Sequence, residues 1–142
     1  MILRAEDFEG RWRIARDVDD RRAGQVGRFD GWATFTDHSE RGGVLLYEET
    51  GTLHFGSAAP MAANRRYIWK ISDLDVEVLF EDERPFHRFT LGAQARGTDH
   101  PCGEDLYRVT YDFSRWPLWQ ARWEVAGPRK DYTMTSRYEL DR

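Results

Sequence analysis

Cysteine occurs once in the 142 residues, at Cys102. No internal disulfide is available, and a single thiol fits a reducing compartment. No segment approaches the roughly 18–20 consecutive apolar residues of a membrane helix. The opening Met1-Ile2-Leu3-Arg4-Ala5-Glu6-Asp7 lacks an apolar run of signal-peptide length. The expectation is a cytoplasmic protein with no membrane partner. Basic excess is missing too: 21 Lys and Arg stand against 25 Asp and Glu, for a net charge of -4, which argues against broad affinity for nucleic acid. The first 30 residues hold seven arginines, but also seven acidic residues, and the two cancel locally.

Helical periodicity is nearly absent as well. What replaces it is period-two alternation, segment after segment, each bounded by Gly, Asp, Asn, Ser or Pro. Strands are predicted over 10–18, 26–37, 43–50, 52–56, 64–71, 73–81, 85–92, 93–99, 104–113, 118–126 and 131–140, about ten of them forming. In the first, Trp12, Ile14, Arg16 and Val18 share one face and Arg11, Arg13 and Asp17 the other. In 118–126, Trp119, Ala121, Trp123 and Val125 alternate with Gln120, Arg122 and Glu124.

Turn signals between the strands are short: 19–24, 40–43, 72–73 and 81–85. Connections of this length join antiparallel neighbours, because a parallel pair needs a crossover of a dozen residues or more. With almost no helix to cover faces or edges, ten strands are best accommodated by a sheet closed on itself. The predicted fold is therefore all-β, an antiparallel up-and-down barrel in one domain spanning 1–142; a two-sheet sandwich is the alternative. Residues 56–63, small and apolar, are expected to form a loop or a single helical turn over a barrel mouth. Gly10-x-Trp12 at the start and Arg137 near the end suggest that the terminal strands meet, with the guanidinium stacked on the indole at the barrel floor.

The Gly10-x-Trp12 start, the meander and the terminal arginine together resemble a calycin, the superfamily of lipocalins and fatty-acid-binding proteins. A closer resemblance is to a family of small bacterial and fungal proteins known only as a domain of unknown function. It is carried by Phe8-x-Gly10-x-Trp12, Gly31-x-Ala33-x-Phe35, Tyr47-x-Glu49, Arg66-Tyr67-x-Trp69, Arg84-Pro85-Phe86-His87, His100-x-Cys102-Gly103-x-Asp105-x-Tyr107, Trp116-Pro117-x-Trp119 and Gly127-Pro128-Arg129-Lys130-Asp131-Tyr132. The resemblance implies a barrel whose lumen holds an apolar or aromatic small molecule. The related nitrobindin-like barrels bind haem through a histidine and have a glycine-rich opening after Gly-x-Trp, but here Arg13-Ile14-Ala15-Arg16 takes its place, and no cofactor is expected.

Polar residues capable of chemistry concentrate in 100–107. In extended structure His100 and Cys102 share a face, as do Asp105 and Tyr107, and the intervening Gly103 invites a turn that brings the two pairs together. Four readings stay open: a zinc site of His87, His100, Cys102 and Asp105, a Cys/His nucleophile, a lumen site for a ligand, or a hairpin fastened by hydrogen bonds. His87 shares a face with Phe89 and Leu91; if it sits beside His100 in the lumen, binding should depend on pH between about 5 and 8. Trp119, paired with the small Ala121, offers a wall for a flat ligand. Arg129 and Lys130, in the last turn, offer charge for an anionic group at the rim. Glu49 and Arg66 are candidates for a lumen ion pair.

These residues lead to two expectations of function. In the first, His87, His100, Asp105, Tyr107, Trp119, Arg129 and Lys130 surround a partly apolar, anionic small molecule and no metal. The second is a cofactor-independent lyase, isomerase or hydrolase using His100, Asp105 and Tyr107 as acid and base.

Overall fold

The computed structural model describes residues 2–38, 40 and 42–141. A short helix, α1 (Ala5–Phe8), leads into β1 (Gly10–Asp20), β2 (Gln25–Asp37), β3 (Val44–Phe55), β4 (Met61–Ser72), β5 (Asp75–Phe80) and β6 (Pro85–Thr90). There follow β7 (Gln94–Arg96), β8 (His100–Cys102), β9 (Asp105–Arg115), β10 (Leu118–Gly127) and β11 (Lys130–Leu140). All pairings are antiparallel, in the order β6-β5-β4-β3-β2-β1-β11-β10-β9-β7, with β8 paired to β9. The terminal strands do meet: β1 lies against β11 with Trp12 opposite Leu140 and Asp20 opposite Tyr132. The result is an antiparallel, nearly closed barrel of ten strands, and the sandwich is excluded. Between β6 and β7 no ladder forms; the seam is bridged by Thr98, whose N–H donates to the Arg88 carbonyl at 2.8 Å and whose hydroxyl accepts from the Arg88 N–H at 3.0 Å.

Several local expectations are corrected. The stretches 43–50 and 52–56 form one continuous strand, and 93–99 is only a three-residue strand followed by the separate β8. Of residues 56–63, the first part turns, but Met61, Ala62 and Ala63 already pair with β3. Of the expected turn 40–43, Arg41 lies outside the described residues. The helix α1 carries no periodic signal; it is a single turn, with the Arg4 N–H donating to Asp7 Oδ2 at 2.7 Å.

That turn closes one end of the barrel. Phe8 and Trp12 are fully buried. The Phe8 ring lies 5.0–6.0 Å from Phe35, Trp69, Phe113, Trp116 and Trp119, and the Trp12 indole N–H donates to the Phe8 carbonyl at 2.8 Å. The expected Trp12–Arg137 stack does not exist. Strand alternation on β11 sends Ser136 and Tyr138 inward and Arg137 outward, where it pairs with Asp17 at 2.9 Å. Aromatic rings, rather than a guanidinium, seal the floor.

Candidate functional site

Above the floor the barrel is hollow, with a cavity of about 700 Å³. Its walls include Tyr47, Tyr67, Trp69, Trp119, Trp123 and Tyr138. This volume lies in the usual range of small-molecule pockets, about 300–1,000 Å³. Trp119 and Tyr138 stack at 3.7 Å, nearly parallel, as cross-strand partners of β10 and β11. Ala121, the next inward residue of β10, leaves room beside the rings as its size suggests.

A buried ion pair sits in the wall. Arg16 on β1 and Glu49 on β3 are 8% and 3% exposed. The Arg16 Nη1 and Nη2 atoms donate to the two Glu49 carboxylate oxygens at 2.7 and 3.0 Å, and Nε donates to Ser136 Oγ at 2.6 Å. The Tyr47 hydroxyl donates to Glu49 Oε1 at 2.6 Å and lies 2.8 Å from the Tyr138 hydroxyl. Burial opposes both charges, but the Arg16 hydrogen bonds and charge outweigh it and hold Glu49 below its ordinary value, while Glu49 holds Arg16 protonated. Burial also raises both phenols, Tyr138 to about 12. The network is thus internally neutral and satisfied, as a buried charge requires.

Glu49 faces the lumen as expected, but its partner is Arg16, not Arg66. Arg66 points outward, to Glu48 at 3.3 Å and Glu81 at 3.5 Å. Its neighbour Arg65, opposite Glu49 in the β3–β4 register, reaches the cavity mouth. None of the ion pairs among the described residues involves Arg65. Burial works against its charge, and Tyr67 and Glu49 favour it, with a net upward shift.

The mouth is bounded by Arg65, Arg84, Phe86, His100, Cys102 and Tyr132. Gly103, in the left-handed region at φ 61°, turns β8 back onto β9. His100 therefore faces Tyr107, with ring centroids 6.1 Å apart, and Cys102 faces Asp105. Of the seven candidates, His87, His100, Tyr107 and Trp119 line the cavity. Asp105, Lys130 and Arg129 do not. The Lys130 ammonium is held by the Tyr107 hydroxyl and the Asp105 carboxylate, each at 3.0 Å, and those contacts keep it protonated. Asp105 fits there because Gly127 has no side chain: a Cβ would collide with the carboxylate. Arg129 is exposed in the β10–β11 turn. Among the described residues no cluster of three His, Cys, Asp or Glu is placed to hold a metal.

His87 lies deep in the lumen, 4% exposed, with Nε2 2.7 Å from the Tyr111 hydroxyl. Burial, and secondarily the nearby His100, lower its pKa to about 3. The expected titration of His87 between pH 5 and 8 is therefore removed: a desolvated imidazole stays neutral there. The lining residues that sequence reasoning left out of the site include Arg16, Arg65, Tyr67, Tyr132, Met134 and Tyr138. The four that are not arginines are aromatic or apolar residues on inward faces, signalled by alternation alone.

The fold and its hollow centre define a calycin-like β-barrel. The chain belongs to the family of unknown function DUF6314, which it matches over residues 8–140. No curated protein matches it in sequence. Among solved structures it is similar to the S-type phycobiliprotein lyase CPES of Guillardia theta, at a TM-score of 0.64 and 10% identity over 96% of this chain and 90% of that one. It is also similar to a DUF3598 protein of unknown function from Nostoc punctiforme, at a TM-score of 0.59 and 12% identity over 96% of this chain. In that case the chain spans 48% of the longer protein. No helix of the described residues is long and apolar enough to cross a membrane.

Proposed function

We propose that this protein is a small-molecule-binding barrel that holds a flat, partly aromatic, anionic ligand in its lumen. The observation that carries the reading is the cavity of about 700 Å³ walled by tryptophan and tyrosine rings. Aromatic faces favour a planar guest through offset or edge-on contacts worth roughly 0.5–1.5 kcal/mol per pair beyond area burial. The preference for an anion rests on Arg65, among the described residues the cation at the mouth that is in no ion pair, whereas Arg16 is already neutralised by Glu49. The same barrel shape is used by a phycobiliprotein lyase.

Titration calorimetry with 1-anilinonaphthalene-8-sulfonate, a flat aromatic anion, tests the reading. Saturable binding at one site per chain is expected. It should be lost in Ala121→Phe, which fills the lumen, and kept in Met61→Phe, which alters an exposed side chain; circular dichroism checks that both remain folded. Failure of the wild-type protein to bind, or equal binding by the two variants, would overturn it.

A further inference from the structure

Two buried side-chain polar atoms among the described residues have no hydrogen-bond partner in the protein, His87 Nδ1 and Trp119 Nε1, and both residues line the same cavity. An indole N–H is a donor only. The character of the imidazole atom follows from its neighbour. Tyr111 is buried, its phenol raised well above the ordinary value by burial, and it therefore keeps its proton. Its hydroxyl partner is His87 Nε2. If Tyr111 donates to Nε2, the neutral ring carries its hydrogen on Nδ1. The opposite tautomer would leave the phenolic O–H without an acceptor as well, so the hydrogen-bond network assigns a Nδ1–H donor.

Both rings pack against that of Tyr111, whose centroid lies 5.9 Å from that of His87 and 6.5 Å from that of Trp119. His87 is otherwise edge-on to Phe86 and Trp123, at 4.7 and 5.0 Å. A π face is a weaker acceptor than an oxygen. Both donor atoms are buried, and Phe86, whose ring packs edge-on against the imidazole, is half-buried on the strand that borders the open seam, so a ligand that reaches the donors displaces side chains packed around them.

We propose that His87 and Trp119 are the lumen's donors to its ligand, and that the ligand presents neutral carbonyl-type oxygens, as in a quinone, conjugated ketone or lactam, at its deep end. A carboxylate in that position would be buried without a counter-charge, because Arg16 is committed to Glu49 and the other lining arginines, Arg65 and Arg84, stand at the mouth. The ligand thus lies with its anionic group outward and its carbonyl inward. This assignment rests on the lumen-binding reading.

A matched pair of probes separates the two. Anthraquinone-2-carboxylate and anthracene-2-carboxylate share a flat outline and an anion and differ in two carbonyl oxygens. Titration calorimetry should give about tenfold tighter binding of the quinone to the wild-type protein, the scale of one well-made buried hydrogen bond. The ratio should fall toward one in His87→Phe and part of the way in Trp119→Phe. In the wild-type protein, where no variant has to fold, the Trp119 indole N–H proton resonance should move downfield with the quinone only. Equal affinity of both probes, a ratio unchanged in both variants, or an indole resonance that responds alike to both would overturn the donor assignment while leaving lumen binding intact. Binding of neither probe would overturn both.

Discussion

Arg16 and Glu49, 33 residues apart, are joined by two hydrogen bonds, Nη1 to Oε2 and Nη2 to Oε1, across β1, β2 and β3, inside a wall that is otherwise largely aromatic. Removing one partner strands the other in a desolvated site, which typically costs about 3–5 kcal/mol. Glu49→Leu is expected to lose that much in urea unfolding. The double variant Arg16→Met, Glu49→Leu should recover at least half of the loss, since no uncompensated charge remains. A double variant as unstable as Glu49→Leu alone would show that the pair's charges are not what matters.

Phe8 and Arg137 test how the barrel is closed. Phe8→Ala empties the centre of a six-ring cluster and should cost about 3–5 kcal/mol. Arg137→Ala removes an exposed ion pair with Asp17, a class worth about 0–1 kcal/mol, and should leave the unfolding midpoint nearly unchanged. A large effect at Arg137 would mean that the guanidinium seals the floor after all.

His87 makes stability depend on pH in a definite direction. Its pKa is about 3 in the folded chain, against 6.5 for an unperturbed imidazole. The unfolded state therefore binds more protons between those values, and stability rises with pH there. The contribution is fully present above about pH 6.5 and declines as pH falls toward 3. Urea midpoints measured from pH 7 to 5 should fall more steeply for the wild-type protein than for His87→Gln, which cannot titrate. Parallel profiles would place His87 in water.

Much of this arrangement is readable from residue order, and the failures have physical causes. In β1, apolar Trp12 and Ile14 alternate with charged Arg11 and Arg13, so the inward face is unambiguous, and Arg16 falls on it. Its partner was not readable, because Arg16 reaches Glu49 past the intervening strand. In β4 the sequence Arg65-Arg66-Tyr67-Ile68-Trp69 is arginine on both faces and then apolar on both faces. Ile68 and Trp69 are both buried, and alternation cannot choose between the two arginines. In β11, Tyr138 lies inward and Arg137 outward, and a one-residue difference in parity separates a lumen cation from a surface one. The hairpin of β8 and β9 did place His100 opposite Tyr107, but Asp105 turned toward Lys130, a contact made only once β10 and β11 are in place.

Arg65 and Arg66 give the sharpest functional contrast. Arg65→Ala should weaken binding of anthracene-2-carboxylate about three- to tenfold, with a reduced salt dependence. Arg66→Ala, on the outer face of the same strand, should leave affinity within experimental error. Titration calorimetry at two salt concentrations decides between them, and equal effects would remove Arg65 from the site.

Where a bound aromatic anion sits is the central question, and methyl NMR answers it directly. Intermolecular contacts from 1-anilinonaphthalene-8-sulfonate should appear at the lumen methyls of Val78, Ala121 and Met134 and be absent at the exposed methyls of Val26 and Met61. Contacts confined to Val26 or Met61, or to no methyl at all, would contradict a hollow barrel that takes its ligand inside.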